Sequence, residues 1–178
     1  MKKKIFFLSV GHWVSSGYGK VSSYLIEGLL ERGYDVVELA NQLERGWIEF
    51  EGGLTVLPRK FDPFCQDVVG VYWDFFDPDA LLTLIDVWVL QTLPKVVSER
   101  GIIWYPYVPI DAELDETCDP ILEPLKNADT IIAMSNYGYN ELKKFFDNVV
   151  CIPHGVDTKV YRPMDKKKAK RLSGFPED

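Results

Sequence analysis

Apolar positions along the chain fall into two patterns, short continuous runs and stretches of helical period, and the two alternate. KIFFLSV (4–10) is a near-continuous apolar run, as expected of a strand buried on both faces of a parallel sheet. After a glycine-rich turn, VSSYLIEGLLERG (21–33) sets Val21, Tyr24, Leu25, Leu29 and Leu30 on one helical face and stops at Gly33, a natural C-cap. YDVVELA (34–40) reads as a second strand, and IEFEGGLTVLPR (48–59) predicts two short strands around Gly52 and Gly53. DVVGVYWDF (67–75) predicts a further buried strand, DPDALLTLID (77–86) a helical stretch and LQTLPKVVSERG (90–101) a helix. GIIWYPYVPI (101–110) follows as a strand and DPILEPLKNA (119–128) as a short helix. DTIIAMS (129–135), NYGYNELKKFF (136–146) and NVVCIP (148–153) complete the series as strand, helix and last strand.

This alternation is the signature of an α/β domain: a Rossmann-like, doubly wound, mainly parallel sheet flanked by helices. Ligands in that architecture sit at the C-terminal ends of the strands. The segments to weigh are therefore 12–20, 74–79, 105–111, 135–137 and 154–157, and His12, Asp74, Ser135 and Asn136 are the candidates for a cleft or acceptor site. No internal repeat is visible.

Composition narrows the class. With 178 residues, 47% of them hydrophobic and 13% aromatic, the chain suits one domain with a proper core. Its apolar runs are too short to cross a bilayer. MKKKIFFLSVG imitates a signal peptide, but the apolar run is short and meets Gly11, His12 and Trp13 instead of a small-residue cleavage site, so a cytoplasmic protein is expected. Cys65, Cys118 and Cys151 are far apart and odd in number, which fits reduced thiols better than a disulfide framework or a zinc site. Charge is unevenly placed: residues 1–158 hold 13 basic and 24 acidic side chains, and residues 159–171 hold seven basic and one acidic. A body that acidic repels a phosphate backbone, which argues against a nucleic-acid partner. The basic stretch 159–171 reads as a solvated linker or the start of a helix, with peripheral contact to an anionic membrane as the alternative.

Between the first strand and first helix lies GHWVSSGYGKVSS. It is not a P-loop: Val14 stands where the first glycine is required and Val21 where Ser or Thr should follow the lysine. A dinucleotide fingerprint would run from Gly17 to Ser22, with Ser22 in the last glycine's place and Glu38 as the ribose-binding acid. The other readings are a tight turn capped by Ser15 or Ser16, and a loop in which Gly17, Tyr18, Gly19 and Lys20 contact a phosphate or sugar. DAELDETCDP carries five acids in nine residues but lacks the order and glycine of a calcium loop, and reads as a solvated acidic loop. Asp111 stands apart, directly at a strand exit. His12 and His154 also lie at strand exits, with no third ligand for a metal and no nucleophile–base pair beside them.

The end segments carry a resemblance. ADTIIAMSNYGYNELKKFFDNVVCIPHGVDTKVYRP (128–163) is similar to the end of the N-terminal domain in glycosyltransferase family 4, retaining enzymes of GT-B architecture. The matching positions are Ala128, Asp129, Ser135, the Ile152–Asp157 turn, Tyr161 and Pro163. SSGYGKVSSYLIEGLLERGYDV (15–36) resembles the same family's first loop and helix. The resemblance implies the acceptor-side, N-terminal half of a GT-B fold over residues 1–163, with 164–178 as a basic connector and the start of a C-terminal, donor-binding domain. It implies transfer of a sugar from a nucleotide-sugar donor to an unidentified acceptor, with no metal and no cofactor beyond the donor. Gly17 and Gly19 would lie near the donor diphosphate or sugar, with Lys20 as a positive charge. Asp111 and Tyr107 stand where many members have a histidine near the reaction centre. His154, Gly155 and Asp157 would form a hinge turn. Little turnover is expected of this chain alone. The alternatives are a non-catalytic ligand-binding or interaction module and a nicotinamide-dependent oxidoreductase domain resting on Glu38.

Overall fold

Eight strands form one sheet in the computed structural model, which describes residues 2–176. They are β1 (Lys4–Ser9), β2 (Asp35–Ala40), β3 (Ile48–Phe50), β4 (Leu54–Pro58), β5 (Ala80–Leu84), β6 (Trp104–Val108), β7 (Ile131–Ala133) and β8 (Val149–Cys151). Their order is β3-β4-β2-β1-β5-β6-β7-β8, and the β3–β4 hairpin supplies the antiparallel pair. The helices are α1 (Gly17–Glu31), α2 (Gln66–Phe76), α3 (Leu93–Arg100), α4 (Asp119–Leu122), α5 (Asn136–Leu142) and α6 (Lys166–Leu172). From β1 the chain winds outward through β2 to β4, then crosses back to β5 on the other flank of β1. That reversal makes the β1/β5 boundary the topological switch point, where a crevice opens beyond the strand ends.

The pleat divides the core in two. Phe6, Leu8, Val37, Leu39, Leu81 and Trp104 point to the face covered by α2, α3, α4 and α5. Phe7, Val36, Ala40, Val56 and Leu84 point to the opposite face, where α1 contributes Ile26. Phe6, Phe7 and Leu8 are fully buried, each stabilising the fold by roughly 1.5–3 kcal/mol. Polar links also cross the sheet: Ser22 Oγ donates to Ser9 Oγ at 2.9 Å, and Ser9 Oγ to the Leu84 carbonyl at 2.8 Å. They tie α1 to β1 and β1 to β5 beneath the switch point.

Two expected elements are exchanged. Residues 67–75 form most of α2 and not a strand: Val68, Val69, Tyr72, Trp73 and Phe76 pack on the core while Val71 and Phe75 face outward, a helical period hidden inside a short apolar run. Residues 77–86 contain strand β5 and not a helix. Between β1 and β6 that segment is buried on both faces, so its leucines cannot show the alternation of a half-exposed strand. Gln66 fastens the exchanged helix: its Oε1 accepts from the N–H groups of Thr92 and Leu93, and its Nε2 donates to the Val89 carbonyl at 2.6 Å. The later part of the basic stretch forms α6, from Lys166 onward, none of whose residues is buried. Glu177 and Asp178, the end of the segment likened to a second domain's start, lie outside the described residues.

Candidate functional site

The first wall of the site is the start of α1. Ser16 is its N-cap, with extended φ of −144°, and its Oγ accepts from the Gly19 N–H at 3.0 Å. The N–H groups of Gly17 and Tyr18 have no hydrogen bond within the described residues. The two glycines of this loop differ in purpose. A Cβ on Gly17 would meet open space, whereas one on Gly19 would lie 2.1 Å from the Val14 carbonyl oxygen. Gly19 is therefore a glycine because its own loop folds against it, and its N–H is taken by the cap. Gly17 leaves its backbone open to a ligand.

Tyr18 crosses the switch point. Its hydroxyl donates to Asp86 Oδ1 at 2.6 Å, just beyond the end of β5. Burial, that hydrogen bond and the charges of Asp86 and Asp111 push the phenol well above its usual range, so it remains a proton donor. Asp111 follows β6 as expected and is exposed. Lys20, on the next turn, holds its ammonium 4.6 Å from the Tyr24 ring centroid.

The second wall comes from β6 and the turn after β8. Tyr107 is buried in β6, and its hydroxyl donates to the Ile152 carbonyl at 2.6 Å. Burial, with a smaller effect of Cys151, pushes that phenol up to about 12. The His154 ring stands edge-on to Tyr107 at 5.2 Å between centroids, and burial lowers its pKa, so it is neutral near pH 7. Asp157 Oδ1 accepts from the Lys159 N–H at 2.8 Å and closes the turn. Between the walls lie two adjoining cavities of about 390 and 520 Å³, which share Val21, Tyr24, His154 and Gly155. The larger reaches Gly17, Tyr18, Lys20, Pro109 and Met134; the smaller is lined by aliphatic side chains and Tyr107. Both are of ligand size.

The remaining expected residues lie elsewhere. His12 turns toward β2, where the fully buried Glu38 carboxylate accepts from its backbone N–H at 2.8 Å and meets its Nδ1 at 2.6 Å. Ser135 caps α5, accepting from the Gly138 N–H at 3.0 Å, and Asn136 Oδ1 accepts from Cys151 Sγ at 3.4 Å. Reading residues 67–75 as a strand puts Asp74 at a strand exit, which the structure corrects. Asp74 sits in the last turn of α2 and pairs with Arg100 near the start of the sheet, at the end opposite the cleft. Asp86 and Met134 were missed. Asp86 was hidden by the helical reading of 77–86; a strand there would have put it at a strand exit. Among the described residues no group of three or more His, Cys, Asp or Glu could hold a metal ion, and no helix is long and apolar enough to cross a membrane.

Fold and cleft together define a Rossmann-like α/β domain with its ligand-sized space at the strand ends. No protein-family model matches the chain, and no curated protein matches it in sequence. Solved structures match it by fold. A glycosyltransferase from Rickettsia africae is 13% identical with a TM-score of 0.65, and the match covers 98% of this chain and 50% of that one. An E. coli structure described as trehalose-6-phosphate bound with UDP-2-fluoro glucose is 11% identical, with a TM-score of 0.58 over 97% of this chain and 54% of that one. The Bordetella bronchiseptica enzyme WbmG in complex with NAD is 14% identical, with a TM-score of 0.50 over 75% and 52%. The chain spans about half the length of each of these structures. At such identities the likeness is one of fold: the domain has the architecture of one half of a GT-B glycosyltransferase, and it shares it in part with an NAD-bound enzyme.

Proposed function

We propose that this chain is the acceptor-side domain of a nucleotide-sugar-dependent glycosyltransferase of the retaining family-4 type. Residues 1–163 would form the domain, and the basic segment after them a connector to a donor-binding domain. The observation that carries this reading is the continuous cavity joining the start of α1 to the His154–Gly155 turn. At one end it offers the unpaired N–H groups of Gly17 and Tyr18, the positive end of a 15-residue helix and the Lys20 ammonium. These are the groups that stabilise charge developing on a diphosphate as a sugar leaves it. At the other end, aromatic and aliphatic walls suit the body of an acceptor. Asp157 is the carboxylate lining that end; Asp111, exposed at the β6 exit, lines a neighbouring cavity with Trp88 and Ile110 and would reach an acceptor only from there, while Tyr107, its hydroxyl engaged by Ile152, shapes the wall. Fixed positive charge is otherwise scarce in the cleft, so this chain alone turns over little donor.

The nicotinamide reading loses its acid, because both Glu38 oxygens are engaged by His12 beneath the loop. Titrating the isotope-labelled chain with UDP-glucose, GDP-mannose and NAD, followed by NMR, tests the proposal. Shifts at Gly17, Tyr18, Lys20 and Gly155 with a nucleotide sugar are expected. Binding of NAD in preference, or rapid donor turnover by this chain alone, would refute it.

A further inference from the structure

The loop that leads from β1 to α1 is fastened on both flanks of its own strand. On the β2 flank, Glu38, fully buried, takes the backbone N–H and the ring of His12, and Gln42 Oε1 accepts from the Gly11 N–H at 2.7 Å. On the β5 flank, Asp86 takes the Tyr18 hydroxyl. Between these points the loop is continuous: the Val14 N–H donates to the Gly11 carbonyl at 2.9 Å, the Ser16 N–H to the Val14 carbonyl at 2.8 Å, and Gly19 lies against that same Val14 oxygen. A carboxylate with no solvent contact is costly to bury, and here its hydrogen bonds go to the loop.

We propose that Glu38 and Asp86 are positioning residues that together set where the start of α1 presents Gly17 and Tyr18 to the cleft, with the Glu38 half of this clamp under the control of protons. The ligand arm of this inference rests on the function proposed above; the loop arm does not. Glu38 is flanked in the sheet by Phe7 of β1 and Val56 of β4, both apolar, so His12 is the titratable partner that faces it. Trp13 and Phe50 enclose the His12 ring at centroid distances of 5.1 and 6.4 Å. One proton shared between His12 Nδ1 and Glu38 Oε2 leaves the pair neutral and the loop held. Loss of that proton as pH rises leaves a buried carboxylate without compensation, and the hold weakens.

The test follows loop amides by hydrogen exchange and NMR in the wild-type chain and in Glu38→Gln, Asp86→Asn and Tyr18→Phe, from about pH 4, the ordinary carboxyl range, to about pH 9. In wild type, the amides of residues 11–19 should shift together with the Glu38 carboxyl as it ionises. Glu38→Gln keeps an amide oxygen to accept from the His12 N–H but loses the charge, so it should speed exchange of that amide about fivefold and abolish the shared pH profile. Tyr18→Phe should free the loop near Tyr18, and Asp86→Asn, whose amide oxygen still accepts from the hydroxyl, should do so less, both keeping that profile. UDP-glucose affinity should fall in each variant that frees the loop. Wild-type loop signals that ignore the ionisation of Glu38 overturn the inference without any variant, as does a freed loop with unchanged affinity. Loop effects in a chain that binds no nucleotide sugar keep the clamp and refute the functional reading instead.

Discussion

The loop after β1 and the turn after β8 leave the sheet at the same end, and each carries one of the chain's two histidines. His12 is pinned by a carboxylate beneath it, within a loop whose backbone and side-chain hydrogen bonds reach both neighbouring strands. His154 has an aromatic neighbour, Tyr107, and its turn is closed mainly by Asp157 and by the Tyr107 hydroxyl on Ile152. One wall of the cleft is thus set by polar links to buried strands, the other by packing and a single reach from β6. A strand exit places a residue near the cleft; its partners decide whether that residue faces the ligand or holds the frame.

The sharpest way to break this comparison is through the two glycines of the first wall. Gly19→Ala drives a methyl group into the Val14 carbonyl, and since backbone cannot yield as a side-chain tip would, a loss of about 3 kcal/mol is expected in denaturant unfolding. Gly17→Ala has open space and should change stability by less than about 1 kcal/mol, while weakening nucleotide-sugar binding. Equal stability losses at the two positions would contradict the division between a frame glycine and a ligand glycine.

That division shows what the sequence could convey. The glycine-rich loop, the Gly33 cap, the β3–β4 hairpin and the exits after β6 and β8 were legible because turn residues and apolar runs mark them directly. The exchange of α2 and β5 was not, since apolar-rich stretches of nine and ten residues fit either period and only the neighbours decide. Asp74 and Asp86 traded places in consequence: the first left the strand exits and the second joined them. His12 was legible as a strand-exit residue, but its direction depends on Glu38, a carboxylate on β2 whose burial no local pattern announces.

On the second wall, Tyr107→Phe removes the hydroxyl that holds Ile152. The freed carbonyl sits on an exposed residue and can take water, so a cost of about 1 kcal/mol is expected, with the His154 turn becoming more mobile by NMR. The two histidine sites should also respond to pH with opposite sign. His154 has its pKa lowered from the ordinary 6.5 by burial, so its contribution is present above that value and is lost as pH falls through the depressed one. Glu38 has its pKa raised from the ordinary 4.5 by burial, so its contribution is present below that value and is lost as pH rises through the elevated one. His154→Ala should therefore remove acid sensitivity and Glu38→Gln the opposing slope. Unfolding midpoints measured across pH for both variants check the signs.

The smallest effect is expected at the other end of the sheet. Arg100 makes two hydrogen bonds to Asp74, at 2.9 and 3.1 Å, but both side chains are solvated and the pair joins the ends of α2 and α3 far from the strand exits. An exposed ion pair of this kind contributes little and is screened by salt. Asp74→Ala should shift the unfolding midpoint slightly, less so at high salt, and leave nucleotide-sugar affinity untouched. A fall in affinity would mean that ligand binding reaches through α2 to the far edge of the sheet, and the placement of the site at the strand exits alone would have to be abandoned.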